Sequence, residues 1–251
     1  MITVHPLTGI GEVRPGSDLA ALLGDALNAA GILLRADDVL VVTQKIVSKA
    51  EGRFVRVDEV APGAEAERLA AITHKQPALV ELVLQESSDV IRAVPHVLIT
   101  RHHSGHVMAN AGIDRSNIGE GGAESALLLP IDPDASAETI RAGLAERLGA
   151  APAVVISDSF GRPWRMGVVN VAIGAAGLPA LIDRRGELDR DGRALEVTQI
   201  ALGDMLASAA GLAMGEGAEG VPAALVRGAM WSGPDAPAAA LVRPIEQDLF
   251  R

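Results

Sequence analysis

The amino-acid sequence predicts an α+β fold, with mixed sheets and helices packed against them. Three observations carry this. Apolar stretches with strand-like patterning are mixed with stretches of helical spacing, without the strict strand–helix alternation of a doubly wound sheet. Hydrophobic residues make up 49% of the 251 residues, enough for a sizeable core. Aromatic residues are only 2% and tyrosine is absent, so that core must be built from Ala, Val, Leu and Ile. A single unit over residues 1–251 is expected, with any subdomain boundary near 80–90 or 130–150; no repeat or clear linker marks one.

Taken in chain order, "ITVHPL" alternates like a short strand and "TGIGEVRPG" reads as loop. "SDLAALLGDALNAAG" predicts a helix capped by Ser17 and closed by Gly31. Val39 to Val42 form a buried-strand run that enters a polar turn, "TQKIVSKAEG". "AEAERLAAITHK" and "PALVELVLQESSDVIRAV" carry helical spacing. "HVLITRHHSGHVMANAG" predicts a hairpin around Ser104 and Gly105. "SAETIRAGLAERLG" predicts a helix capped by Ser136 and closed by Gly149. "APAVVISDSFGRPWRMG" is a second buried strand running into a polar loop, followed by the apolar, glycine-dotted "VVNVAIGAAGLPALID", which suits either core or interface. After the charged loop "RRGELDRDGRALE", the longest helical pattern, "EVTQIALGDMLASAAGLAM", stops at "GEGAEG". "AALVRG" and "AALVRP" predict two closing strands.

Charge and composition exclude several functions. With 22 Lys and Arg against 32 Asp and Glu, the net charge is −10, which repels nucleic acid, and there are too few aromatics for base-stacking platforms. Such a protein takes anionic substrates only with metal ions or focused cations. The absence of cysteine excludes disulfides, iron–sulfur clusters, thiolate zinc and a cysteine nucleophile. "MITVHPLTGIGEVRPG" lacks a signal-peptide pattern, and no apolar run reaches the ~18 residues of a membrane span, so a cytoplasmic protein with no membrane or nucleic-acid partner is expected.

Four polar loops could carry chemistry. "MANAGIDRSN" and "VVISDSFGRPWR" each release an aspartate, Asp114 and Asp158, at the end of an apolar run. Oxygen donors so presented suit Mg²⁺ or Mn²⁺, and Arg162 and Arg165 could clamp a phosphate or carboxylate. Asx-turns at strand ends are the plainer explanation of either aspartate alone. "MGEGAEGV", Met214 to Val221, offers a backbone N–H nest and Glu216, or merely a helix C-cap. Lys49 in "TQKIVSKAEG" is a candidate phosphate contact, although most lysines are simply solvated. His102, His103 and His106 sit on a hairpin tip without a zinc spacing. No P-loop, no G-x-G-x-x-G after a strand and no G-x-S-x-G elbow is present.

Together, "SKAEG", "NAGIDRSN", "SDSFGRPWRMGVVNVAIG", "DRDGRALEVT", "MGEGAEGVPAALVRG" and "RPIEQDLFR" resemble the coenzyme F420-0:L-glutamate ligase family, in order and over nearly the whole chain. The resemblance implies a gamma-glutamyl ligase-like fold and an intertwined homodimer. It implies GTP as co-substrate, two divalent ions (Mn²⁺ or Mg²⁺) and K⁺. It implies coenzyme F420-0 and L-glutamate as substrates, joined through the glutamate amine, with a further glutamate added by a γ-linkage. GTP rather than ATP rests on the resemblance alone, since no N-K-x-D motif is present. Position by position, it implies that Ile10, Gly11, Glu12, Val13, Gln44, Lys45, Lys49 and Asn117 contact the nucleotide. Met214, Gly215, Glu216, Gly217, Ala218, Glu219, Gly220 and Val221 would wrap it. Asp114 and Asp158 would hold the first metal, Ser159 and Glu216 the second. Ser159 stands where the family often has threonine, and either hydroxyl can coordinate. Lys49, Arg162 and Arg165 are the expected catalytic cations. The C-terminal flavin-binding domain of some relatives is not expected. A ligase of the same family with another acid–amine pair and a metal-dependent phosphohydrolase remain as alternatives, as does a nucleotide-binding module without catalysis.

Overall fold

The computed structural model describes residues 1–119 and 124–248; the end of the "RPIEQDLFR" motif and Glu120 to Ala123 lie outside the described residues. The fold is mixed α+β, as expected. Its main sheet has five strands in the order β1 (Thr3–Leu7), β12 (Ala223–Arg227), β2 (Val39–Thr43), β8 (Ala153–Arg162) and β9 (Arg165–Ala176). All neighbours are antiparallel except β2 and β8.

Side-chain alternation explains the covering of both faces. Leu40, Val42, Val154, Ile156 and Leu225 point to one face, which is covered by α1 (Leu19–Ala29) and α5 (Pro133–Leu148). Val39, Val41, Val155, Ala224 and Val226 point to the other, covered by α6 (Leu202–Met214). A strand buried on both faces loses polar alternation, which is why "VLVV" and "AVVI" read as continuous apolar runs. A smaller lobe packs α3 (Ala64–Thr73) and α4 (Pro77–Gln85) on a sheet of β4 (Ser87–Val94), β5 (Val97–His102) and β6 (Val107–Ala109). Two short pairs, β3 (Phe54–Arg56) with β7 (Ser125–Leu127) and β10 (Leu181–Asp183) with β11 (Gln199–Ala201), complete the sheets. No helix among the described residues is long and apolar enough to cross a membrane.

Several expectations are corrected. The turn after β2 is a helix, α2 (Gln44–Ala50), in which Gln44, Ile46, Val47, Ser48 and Lys49 are all buried. The helical spacing over "PALVELVLQESSDVIRAV" ends at Gln85, and Ser87–Val94 pair with β5 as strand β4. The loop after Asp158 is instead a β-ribbon, because β8 and β9 stay paired out to Arg162 and Arg165. "AALVRP" is a 3-10 turn rather than a strand: prolines flank it, and Asp134 accepts hydrogen bonds from the N–H groups of Ala238 and Ala239. The caps also move. Asp18 rather than Ser17 caps α1, and Asp132, followed by Pro133, caps α5 one turn before Ser136.

Candidate active site

The polar loops meet beyond the carboxyl ends of the parallel pair β2 and β8, whose last register pair is Thr43 and Ser157. From there β2 turns straight into α2, while β8 continues as the ribbon with β9. In open sheets with parallel strands, ligands bind outside the carboxyl ends of the strands, which is where these loops gather.

Asp114 reaches this region from a constrained loop. Asn110, Ala111 and Gly112 all adopt left-handed φ angles of 51°, 52° and 72°. That conformation is unfavourable for the first two and is tolerated where the surroundings enforce it. At Gly112 a Cβ would lie 2.9 Å from Leu129, so only glycine fits. The turn seats Ala111 in the core and lets Asp114 exchange two backbone hydrogen bonds with Leu127, each 2.9 Å.

The Asp114 carboxylate is then held on both oxygens. Gln44 Nε2 donates to Oδ2 at 2.6 Å, and Lys45 Nζ lies 2.5 Å from Oδ1. Gln44 is 1% exposed, and its own carbonyl oxygen accepts from Ser48 Oγ at 2.8 Å. The Ser48 hydroxyl therefore orients the Gln44 amide so that its N–H faces the carboxylate. Asp158 stands half-buried beside this group. Its carboxyl is pushed up to about 7, first by burial and then by the negative charge of Asp114, against the pull of the Ser159 N–H, Lys45 and Gln44. Two carboxylates thus share a site in which the Lys45 ammonium pairs directly with Asp114 and only partly offsets the charge of Asp158.

Ser159 Oγ donates to Glu216 Oε2 at 2.5 Å, joining the ribbon to the loop after α6. Asn117 Nδ2 donates to the Gly217 carbonyl at 3.1 Å, so the same loop also touches the segment after Asp114. Met214 ends α6, and Gly215, at φ 75°, turns the chain. Gly217 N–H donates to Glu219 at 2.7 Å, so this loop folds over its own carboxylate. Ala218 and Gly220 are exposed, and Val221 packs partly against the core.

Lys49 is buried on the last turn of α2 and pairs with Glu12 at 2.8 Å, although Glu12 is half exposed. Gly119 sits against both: a Cβ there would be 2.3 Å from Glu12 Oε1 and 3.3 Å from Lys49 Nζ. In the same segment Val13 is buried, Ile10 packs against the core, and Gly11 faces open space.

Arg162 and Arg165 are not gathered here. They face each other at the ribbon tip, Arg162 bonds to the Met166 carbonyl at 2.9 Å, and neither guanidinium bonds Asp114, Asp158 or Glu216. The histidine run is engaged locally, although His106 Nε2 is buried without a hydrogen-bond partner. Ser104 Oγ lies 2.7 Å from His102 Nδ1 and 2.8 Å from His106 Nδ1, and His103 bonds the Gln85 carbonyl. Sequence reasoning missed Ser48 and Asn170, both inside motifs it had quoted. Ser48 lies four residues after Gln44, a spacing that places two side chains together only once the segment is known to be helical. Asn170 is the cross-strand partner of Ser159, which requires the β8–β9 register.

The donor set is all oxygen, which fits Mg²⁺ or Mn²⁺. Among the described residues no three His, Asp or Glu side chains cluster as a ready-made cage. A hard cation held by one or two carboxylates normally takes its remaining ligands from phosphate and water, so two carboxylates with a hydroxyl suit it.

Residues 9–228 match the family described as F420-0:Gamma-glutamyl ligase. A coenzyme F420:L-glutamate ligase of Methanothermobacter thermautotrophicus is 45% identical over 252 residues, covering 100% of this chain and 99% of the relative. Proteins of the same description from Methanopyrus kandleri and Haloarcula marismortui are 43% and 44% identical, covering 98% and 95% of their own lengths and 100% and 99% of this chain.

Proposed function

The chain belongs to the F420-0:Gamma-glutamyl ligase family, and we propose that it joins L-glutamate to coenzyme F420-0 at the expense of GTP. The observation that carries the mechanism is the gathering of Asp114 and Asp158 at one site, where burial and the Asp114 charge resist ionisation of Asp158 and the Lys45 ammonium pairs with Asp114.

A carboxylate is a poor electrophile because its leaving group would be oxide. Transfer of the γ-phosphoryl group of GTP to the acceptor carboxylate gives an acyl phosphate and GDP. Attack by the neutral glutamate amine then expels phosphate and forms the amide. The first step needs charge neutralisation and alignment more than covalent help. In this reading Asp114 and Asp158 hold one divalent ion, Ser159 and Glu216 a second. Bound there, such ions supply positive charge for the phosphoryl oxygens. Gln44 and Lys45 hold the Asp114 carboxylate in one orientation before any ligand arrives, which reduces reorganisation during the reaction. Lys49, buried and paired with the half-exposed Glu12, binds phosphate after exchanging that contact. The backbone of Met214 to Val221 closes over the nucleotide, with Asn117 tied to Gly217. K⁺ completes the expected ion set, as the family likeness implies.

Homodimer formation is part of the proposal. The β8–β9 ribbon extends past its neighbours in the sheet and carries Trp164, Met166 and Val168 at 84%, 97% and 50% exposure. A second copy would cover these apolar side chains, as expected for an interface rather than a free hairpin. Arg162 and Arg165 on this ribbon would then act at the site of the other copy.

The test is mass spectrometry of a reaction containing coenzyme F420-0, L-glutamate, GTP and Mn²⁺, with ATP and no-glutamate controls. One added glutamyl residue, formed with GTP and not with ATP, is the expected result. GTP hydrolysis without a ligated product would favour a phosphohydrolase or a different acid–amine pair.

A further inference from the structure

The pair Ser159 and Glu216 has a third neighbour with no assigned role. Asn170 lies directly across the β8–β9 ladder from Ser159, and its Nδ2 approaches Ser159 Oγ at 3.4 Å. The hydroxyl has one hydrogen, which it gives to Glu216 at 2.5 Å. An amide N–H from Asn170 therefore meets a lone pair of Ser159 and limits rotation of the hydroxyl.

The fold makes specific room for this amide. Asn170 Oδ1 occupies the space that a side chain at position 211 would need: a Cβ on Gly211 would lie 1.7 Å from Oδ1 and 2.8 Å from Cγ. A methyl group at position 211 would therefore drive the Asn170 amide out of this seat. Ser208, one turn earlier on α6, donates its hydroxyl to the Asn170 carbonyl at 2.7 Å and fixes the strand against the helix. The glycine thus forms a notch in a helix that otherwise consists largely of Ala, Leu and Met, at the point where it passes the Ser159–Glu216 pair. Glycine in a helix interior is unfavourable by roughly 1 kcal/mol relative to alanine, so the notch is not explained by helix stability.

We propose that Asn170, seated in the Gly211 notch, is a positioning residue that holds Ser159 and Glu216 in the arrangement that binds a divalent cation. This rests on the reading of Ser159 and Glu216 as cation ligands. Groups that orient metal ligands typically contribute 10–100-fold to affinity.

The test is a Mn²⁺ titration of the full chain without nucleotide, following free Mn²⁺ by electron paramagnetic resonance, alongside urea unfolding of the same metal-free samples. Glu216→Ala should abolish one binding event. Asn170→Ala and Gly211→Ala should each weaken that same event 10–100-fold. Asn170→Ala combined with Gly211→Ala should be no weaker than Asn170→Ala alone, because both changes act through one side chain, and it should regain the stability that Gly211→Ala loses. Should Gly211→Ala fail to fold, Asn170→Ala and Asn170→Ser decide the matter. An Asn170→Ala titration that superimposes on wild type, while Glu216→Ala loses the ion, would overturn the proposal and leave the ligand reading intact. A Glu216→Ala titration identical to wild type would remove the premise itself.

Discussion

Replacing Asp158 with asparagine should make the metal-free protein more stable while removing its function. In the folded chain the carboxyl is pushed up to about 7 from an ordinary 3.8, chiefly by burial and then by Asp114. Between those two values the folded state binds a proton that the unfolded chain does not. Stability therefore falls as pH rises through this interval, and the full penalty applies above about 7. At ~1.4 kcal/mol per pH unit the interval corresponds to about 4 kcal/mol. Asp158→Asn keeps the shape, removes the charge, and can donate to the neighbouring carboxylate. At pH 8 the variant should be more stable than wild type by about 4 kcal/mol, or on the order of 8–16 °C in Tm for a chain of this size. At pH 4 the two should nearly coincide. Urea denaturation at both pH values, with chelator present, measures the difference directly. The same preparations with Mn²⁺ should show wild type stabilised and the variant unaffected. Equal stability of the two proteins at pH 8, or a gain of the same size at pH 4, would refute the reasoning, because neither fits a carboxylate destabilised by burial beside a second one.

Three further outcomes are expected. Asp38 is fully buried and receives both Arg227 Nε and Nη2 at 2.7 Å, tying β12 to the chain before β2; Asp38→Ala should lower stability by about 2 kcal/mol in urea, because it removes these charge-assisted bonds and leaves the Arg35 N–H without its acceptor. His106 is pushed down to about 4 from 6.5, by burial first and then by His102, so the unfolded chain binds a proton the folded one refuses. About 3 kcal/mol of stability should be lost as pH falls from 6.5 to about 4, and His106→Gln should remove that part of the pH dependence in urea midpoints. Lys49→Ala should raise the KM for GTP at least tenfold, whereas Glu12→Gln should lower it or leave it unchanged, since the Glu12 carboxylate competes with phosphate for the same ammonium; a higher KM in Glu12→Gln would show that this glutamate serves the nucleotide instead.

How much could be read in advance depended on how local each cause is. The α+β class, the buried runs of β2 and β8, the β5–β6 hairpin and the bodies of α1, α5 and α6 were legible, because two-sided burial and helical spacing are written in consecutive residues. Errors arose where a pattern is ambiguous by itself. "ESSDVIRAV" keeps a helical spacing yet forms a strand, because pairing with β5 supplies hydrogen bonds that no local pattern reports. Ser17 and Ser136 looked like caps, but Asp18 and Asp132 lie closer to the true helix starts. Asp114, Asp158, Ser159 and Glu216 were visible as members of motifs, and the family they mark was legible from their order along the chain. Their mutual arrangement was not. Gln44 meets Asp114 across 70 residues and Ser159 meets Glu216 across 57. The sequence by itself determined which oxygen donors exist and in what order along the chain they come. Only the tertiary structure decided that Gln44 and Ser48 lock Asp114, that burial beside Asp114 resists ionisation of Asp158, and that a glycine notch in α6 seats Asn170 against Ser159. Such effects depend on desolvation and on separations of a few ångströms between distant segments, which no spacing along the chain specifies.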